Sequence, residues 1–251
     1  MKVALVLPAR DEEAVIGKMV TMMLAVYGSF ITHVIVVDDG SRDQTARIVA
    51  SLAKKDPRIT LLRHHPPYGV GLAIREGLSH VPKGTTHILS MDADFLRNVP
   101  DLFDFFALIP RYDGLIGSRY VARYSLIHYP FLKRVFNRIF HAMVRLIYGV
   151  TTKDLTNNFK LYKKEVFDAL PLSATDFGIN AETGLYPVLM GYRIAEIPVA
   201  WYARERDMGK SKFRLLGVAP SYIKVLVRAA QFSKRPSARF IRLLCSLKKH
   251  L

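Results

Sequence analysis

Ile88-Leu89-Ser90-Met91-Asp92-Ala93-Asp94 runs from an apolar stretch straight into two carboxylates parted by one alanine. In an extended chain successive side chains point to opposite faces, so Asp92 and Asp94 share a side and Ala93 points away. Two like charges this close repel unless one is protonated or a cation sits between them. Paired carboxylates at a strand end therefore suit Mg²⁺ or Mn²⁺, and such an ion seeks phosphate oxygens in turn. The same residues also suit a surface turn whose aspartates cap the next helix. The surrounding chain decides between the two.

Upstream, residues 3–7 form a short apolar run halted by Pro8, and residues 34–37 form another halted by Asp38-Asp39-Gly40-Ser41. Between them residues 13–27 read as a helix, with Val15, Met19, Met22, Met23 and Val26 at helical spacing. The pattern predicts a second helix over 43–54, N-capped by Ser41 or Asp43, a strand over 59–62, a helix from 71 to 78 and a strand over 86–91. Strands and helices alternate, and the strands are apolar on both faces. The fold class is therefore α/β, with a mostly parallel, Rossmann-like sheet flanked by helices. Ligands of such sheets bind beyond the carboxyl ends of the strands, near a topological switch point. Asp11-Glu12-Glu13, Asp38-Asp39 and Asp92/Asp94 all fall at those ends and are expected to converge on one crevice. No Gly-x-Gly-x-x-Gly turn follows the first strand and no Walker lysine loop is present, which argues against a dinucleotide cofactor or a P-loop nucleotide. A metal-bridged diphosphate suits the carboxylates better, with a further carboxylate for ribose hydroxyls or a base N–H.

Downstream, residues 114–117 form an apolar segment that delivers Ser118-Arg119-Tyr120. Arg119 at a strand end suits either phosphate oxygens or a salt bridge to Asp113 or another surface carboxylate. Residues 131–149 have helical periodicity, with Leu132, Val135, Phe136, Ile139, Phe140, Met143, Leu146 and Ile147 on one face and Lys133, Arg134, Asn137, Arg138, His141 and Arg145 on the other. Such a basic amphipathic helix fits a membrane surface, or equally a helix packed on its own sheet with a solvated basic face. Residues 180–190 read as a helix containing Glu182, and 193–199 as a strand. A cationic, glycine-hinged loop follows, with Arg206, Gly209, Ser211 and Lys212, of the kind that closes over an anionic substrate. Residues 222–232 and 238–247 are basic apolar segments that resemble interfacial helices more than a core.

Lys and Arg number 37 against 21 acidic residues, a net charge of +16 that attracts nucleic acid, an anionic membrane surface or phosphorylated substrates. No aromatic-basic pattern of a nucleic-acid reader stands out, so nucleic acid is not an expected partner. With one cysteine, Cys245, an internal disulfide is excluded, which suits a reducing compartment. No signal peptide precedes the first strand, and no uncharged apolar run reaches the about 18 residues that a spanning helix requires. The expectation is a cytoplasmic protein, peripheral on the membrane.

These residues, in this order, resemble the family 2 glycosyltransferases with a GT-A fold, and within them the dolichyl- or polyprenyl-phosphate mannose synthases. The resemblance is carried by Pro8-Ala9-Arg10-Asp11-Glu12-Glu13, Val36-Val37-Asp38-Asp39-Gly40-Ser41, Met91-Asp92-Ala93-Asp94, Gly117-Ser118-Arg119-Tyr120 and Arg206-Asp207-Met208-Gly209-Lys210-Ser211-Lys212. It implies a catalytic domain over 1–212, including an amphipathic interface helix at about 130–149, and basic membrane-surface helices over 213–251. By resemblance Pro8, Glu12, Asp38, Asp39 and Asp92 bind a nucleotide-sugar such as GDP-mannose or UDP-glucose. Asp92 and Asp94 hold Mg²⁺ or Mn²⁺, with Arg119 beside them as a catalytic residue. Arg119, Lys133, Asn137, Arg206, Ser211 and Lys212 take the phosphate of a polyprenyl or dolichyl acceptor. The chain departs from the family pattern at Leu96, where glutamine or serine is usual near the metal, and at Pro67-Tyr68, in place of an asparagine. The spanning helices of many members are absent, so the basic tail or a membrane partner subunit would hold the protein at an anionic membrane surface.

The expected reaction is inverting transfer of mannose or glucose to a polyprenyl phosphate. Such an acceptor is already anionic and needs little or no general base. Two alternatives remain open at this point. A hydroxyl acceptor on a glycan or lipid requires a carboxylate base, with Asp154 or Glu182 as candidates. A non-catalytic membrane subunit would bind the nucleotide-sugar without transferring it.

Overall fold

The computed structural model describes residues 1–123, 125–202 and 215–233. Seven strands form one sheet in the order β3-β2-β1-β4-β7-β5-β8: β1 (Val3–Ala9), β2 (Ile31–Asp38), β3 (Ile59–Arg63), β4 (His87–Met91), β5 (Gly114–Ser118), β7 (Phe159–Lys163) and β8 (Ile194–Pro198). All neighbours are parallel except β7, which runs antiparallel to β4 and β5. Two short strands, β6 (Leu126–Ile127) and β9 (Trp201–Tyr202), pair separately. The chain winds from β1 outward to β2 and β3, then crosses to β4 on the other side of β1. That reversal places the switch point between β1 and β4.

Alternation along the strands fills two apolar layers. Leu5, Leu7, Val34, Val36, Leu89, Met91, Leu115 and Phe159 face one layer with α1 (Ile16–Tyr27), α2 (Thr45–Ala53) and α4 (Leu102–Leu108). Val6, Ile35, Val37, Ile88, Ile116 and Tyr162 face the other, with α3 (Val70–Ser79), α5 (Phe131–Tyr148), α6 (Lys164–Ala169), α7 (Gly178–Leu189) and α8 (Leu215–Ala229). Each fully buried Val, Leu or Ile side chain contributes about 1.5–3 kcal/mol. That is why strands apolar on both faces settle in the middle of such a sandwich.

Three local expectations are corrected. The first helix begins at Ile16, and its inward residues are Ile16, Met19, Val20, Met23 and Tyr27, while Met22 and Val26 are exposed. The stripe at i, i+3, i+4 and i+7 from Ile16 packs on the sheet, so of the residues read from the sequence Val15, Met19 and Met23 are buried and only Met22 and Val26 fall outside it. Helix α5 likewise splits the apolar face read from its sequence. Phe140, Val144 and Tyr148 are buried, together with Asn137 and His141, whereas Leu132, Ile139 and Leu146 are 68%, 55% and 81% exposed. Asn137 and His141 turn inward because the 154–156 loop supplies partners: Leu155 N–H donates to His141 Nε2 at 2.8 Å, and the Thr156 hydroxyl donates to Asn137 Oδ1 at 3.2 Å. Burial keeps the His141 pKa below its ordinary value, in line with a neutral ring that donates from Nδ1 to the Asn137 carbonyl. Segment 222–232, read as interfacial, belongs on one side to the core. Tyr222, Val225, Leu226 and Ala229 are buried, and the Tyr222 ring lies 4.8 Å from that of Phe140. Segment 238–247 and Cys245 lie outside the described residues.

Candidate active site

Beyond the carboxyl ends of β1 and β4 lies a cavity of about 490 Å³, lined by Pro8, Arg10 and Glu12 after β1, Asp39 after β2, Asp92 and Asp94 after β4, and Arg119 after β5. The two loops that follow β1 and β2 are tied to each other by their own acidic residues. Asp11, at φ 53°, accepts from Arg42 N–H at 2.8 Å and donates its own N–H to the Ser41 hydroxyl at 2.9 Å. Glu13 accepts from Gln44 N–H at 2.8 Å, while Asp43 accepts from Glu13 N–H at 3.1 Å and from Thr45 N–H at 2.9 Å. This lattice fixes the backbone of the intervening Glu12, whose side chain lines the cavity.

Asp38 and Asp39 divide their work. Asp38 is fully buried, accepts from Ser41 N–H at 3.0 Å, faces Arg63 Nε at 3.3 Å and does not line the cavity, so the turn is its ligand. Asp39 lines it, and its carboxylate is positioned by Tyr68 N–H at 2.7 Å, Gly69 N–H at 3.0 Å and His64 Nδ1 at 3.0 Å. The other ring nitrogen of His64 meets Glu76 on α3. Burial opposes a charge on His64, but its bonds to Glu76 and Asp39 prevail and hold its pKa above the ordinary value. Glycine is required where α3 begins. Gly69 has φ 102°, and a Cβ on Gly71 would stand 2.5 Å from the Ala174 carbonyl oxygen. That close approach brings the 174–176 loop and the start of α7 to the cavity wall.

The strand ends at Met91, so Asp92 and Asp94 sit in a turn and not in the extended chain that the sequence suggested; both nevertheless line the cavity. Asn158 Nδ2 donates to Asp92 Oδ1 at 2.8 Å, and Ser90 Oγ donates to Asn158 Oδ1 at 2.8 Å, which orients the carboxylate from the antiparallel strand next door. Leu96 packs against the apolar core and supplies no ligand. Among the described residues no cluster of three or more His, Cys, Asp or Glu side chains forms a cage. Two carboxylates open to a cavity fit Mg²⁺ or Mn²⁺, hard ions that complete their shell with phosphate oxygens and water.

Arg119 is paired with Asp154, not with Asp113, which binds Lys163 and Arg193 instead. Its Nε donates to Asp154 Oδ2 at 2.7 Å and its Nη2 to Oδ1 at 2.9 Å and to the Thr156 hydroxyl at 3.1 Å. Among the described residues its Nη1 has no hydrogen-bond partner, and Arg119 lines the cavity beside Tyr129, Lys133, Asn137 and Trp201. Asp154 is fully buried. Burial opposes its charge, but the guanidinium outweighs that and keeps its carboxyl below the usual range. Glu182, also fully buried, accepts from Ser173 N–H at 2.8 Å, the Ser173 hydroxyl at 2.7 Å and Ala174 N–H at 3.0 Å. Neither carboxylate lines the cavity. Arg206, Ser211 and Lys212 lie outside the described residues.

The sequence reading missed Asn158, Asn180 and His64. Asn157-Asn158 immediately before an apolar strand was a signal for the first, since polar residues at a strand end seldom serve the core. His64 gave none, because its two carboxylate partners come from elements 25 and 12 residues away.

The model of "Glycosyl transferase family 2" matches residues 4–170, which span the cavity-lining carboxylates Glu12, Asp39, Asp92 and Asp94. The chain belongs to that family. Its relatives include a polyprenol monophosphomannose synthase of Mycolicibacterium smegmatis, 28% identical over 77% of this chain and 74% of that protein. An undecaprenyl-phosphate mannosyltransferase of Micrococcus luteus is 26% identical over 72% of this chain and 75% of its own. Among solved structures, glucosyl-3-phosphoglycerate synthase from Mycobacterium tuberculosis, in complex with Mn²⁺, uridine diphosphate and phosphoglyceric acid, superposes with a TM-score of 0.68 at 16% identity, over 94% of this chain and 79% of that one. This establishes that the family 2 domain here has the GT-A glycosyltransferase fold. Among the described residues no helix is long and apolar enough to cross a membrane.

Proposed function

We infer that this family 2 glycosyltransferase moves a hexose, mannose or glucose, from a nucleotide-sugar to a polyprenyl phosphate, with inversion, at a membrane surface. The observation that carries the reading is the placement of Asp154 and Glu182. A hydroxyl acceptor needs a carboxylate base within reach of its proton. Both of these candidates are turned away from the cavity and committed to Arg119 and to the Ser173-Ala174 backbone, and Asp176, which does line the cavity, is engaged by the Gly178 N–H and the Ser221 hydroxyl. A phosphate acceptor arrives already ionised and needs no base. The names of the two relatives point to the same acceptor class.

In this reading Pro8, Glu12 and Asp39 hold the nucleoside, and Asp92 and Asp94 hold Mg²⁺ or Mn²⁺, which when bound neutralises the charge of the departing diphosphate. Arg119 Nη1 and Lys133 draw the acceptor phosphate in and offset its repulsion from the donor. Asn137, bonded to Tyr129 and Thr156, keeps that side of the cavity in register. One phosphate oxygen attacks the anomeric carbon from the face opposite the leaving diphosphate. Alignment supplies most of the rate. The outward side of α5, with Phe131, Leu132, Ile139 and Leu146 exposed among Arg134, Arg138 and Arg145, suits an anionic lipid interface that presents the acceptor.

The test is transfer of label from GDP-mannose, and separately from UDP-glucose, into an organic-extractable product with polyprenyl phosphate and Mg²⁺ or Mn²⁺. Label should enter the lipid phase from one donor and disappear with Asp94→Asn. Transfer to a hydroxyl acceptor, or metal-dependent donor binding with no transfer at all, would refute the reading.

A further inference from the structure

Asn180 stands in the first turn of α7, and its side chain lines the cavity although the residue is only 7% exposed. Its Oδ1 is buried without a hydrogen-bond partner, and among the described residues nothing bonds its Nδ2 either. The backbone of the same residue is firmly held. Lys160 Nζ donates to the Asn180 carbonyl at 2.7 Å and to the Thr183 hydroxyl at 2.9 Å, and Asn180 N–H donates to the Phe177 carbonyl at 3.2 Å. Lys160 pairs with Ser90 across the β4–β7 register, two residues before Asp92, so Asn180 is tethered from the strands that carry Asp92 and its partner Asn158. An open amide on a fixed backbone, facing a cavity, is an incomplete binding element.

Its chemistry narrows the ligand. A buried carbonyl oxygen without a donor is costly, and the missing donor must come from what enters the cavity. A diphosphate or a metal-bound carboxylate offers only acceptors at neutral pH, so neither completes the Oδ1. A hydroxyl both donates and accepts. Two neighbouring ring hydroxyls match both ends of the amide, and exchanging those ends changes nothing, because each lacks a partner.

We propose that Asn180 reads the transferred hexose, its amide bridging two adjacent sugar hydroxyls while the carboxylates handle the nucleoside diphosphate. This rests on the donor class inferred above. Asn180 is then a specificity-determining residue that acts on the sugar and is silent toward the nucleotide.

The experiment compares binding of the nucleoside diphosphate alone (GDP or UDP), of GDP-mannose or UDP-glucose, and of the monodeoxy-sugar forms of the preferred donor, in the full chain and in Asn180→Ala. Asn180→Ser serves as a milder second variant, and thermal melting checks the fold of both. The expected result is an unchanged affinity for the diphosphate and a loss of about tenfold for the intact donor in Asn180→Ala. In the parent protein, removing either contacted hydroxyl costs a similar factor, and in the variant it costs little. Equal losses for diphosphate and donor, or an unchanged discrimination among the deoxy donors, would overturn the proposal while leaving the donor class standing. A parent protein that binds no nucleotide-sugar would overturn both.

Discussion

Replacing Asp154 by asparagine separates a structural carboxylate from a catalytic one. Asp154 is fully buried, receives two hydrogen bonds from the Arg119 guanidinium at 2.7 and 2.9 Å and a third from Arg119 N–H at 3.0 Å. The amide keeps one acceptor oxygen but sets an N–H₂ group against the guanidinium, which leaves a buried cation without its counter-charge. Breaking a buried pair by removing one partner costs about 3–5 kcal/mol. For a chain of this size each kcal/mol lowers Tm by about 2–4 °C, so Asp154→Asn should melt roughly 6–20 °C below the parent. Adding Arg119→Met removes the orphaned charge and should restore about half of that loss, although transfer stays low because Arg119 lines the cavity. The assay is calorimetric melting with single-turnover transfer measured well below Tm. Asp154→Asn that melts within about 2 °C of the parent while turnover collapses would refute the reasoning. It would mark Asp154 as a base for a hydroxyl acceptor.

Two further outcomes follow from the same geometry. His64, with its pKa raised between Asp39 and Glu76, contributes stability that is fully present below its unfolded value of about 6.5 and is lost as pH rises through the folded value. His87 and His141, both lowered by burial, slope the other way, so the quantity to read is the pH dependence of the difference between the parent and His64→Gln. A difference that grows with rising pH would contradict the assignment. On α5, changing Leu132, Ile139 and Leu146 together to serine should leave Tm nearly unchanged, since all three are exposed, but should reduce sedimentation with anionic vesicles by about tenfold or more. Undiminished vesicle binding would show that this face is not the lipid contact.

The sequence alone determined the sheet and the acidic rim. Residues 3–7 and 34–37 are apolar at every position, and 88–91 at every position but Ser90, which only a strand covered on both faces tolerates, so the α/β class and the site at the carboxyl ends followed from local pattern. Asp39, Glu12, Asp92 and Asp94 were legible for the same reason, each lying just past a strand. What the sequence left open was direction and partnership. Phe159–Lys163 runs antiparallel, a fact set by pairing across the sheet and not by its own residues, and that reversal is what delivers Asn158 to Asp92. Periodicity located α5 but not its inward stripe, because the polar 154–156 loop draws Asn137 and His141 in at the expense of Leu132 and Ile139. Asp154 and Glu182 looked equally suited to take a proton. Only tertiary structure, by setting one against Arg119 and the other against the Ser173 and Ala174 backbone, decided that neither faces the cavity, because hydrogen-bond partners 35 and 8–9 residues away leave no trace in local spacing.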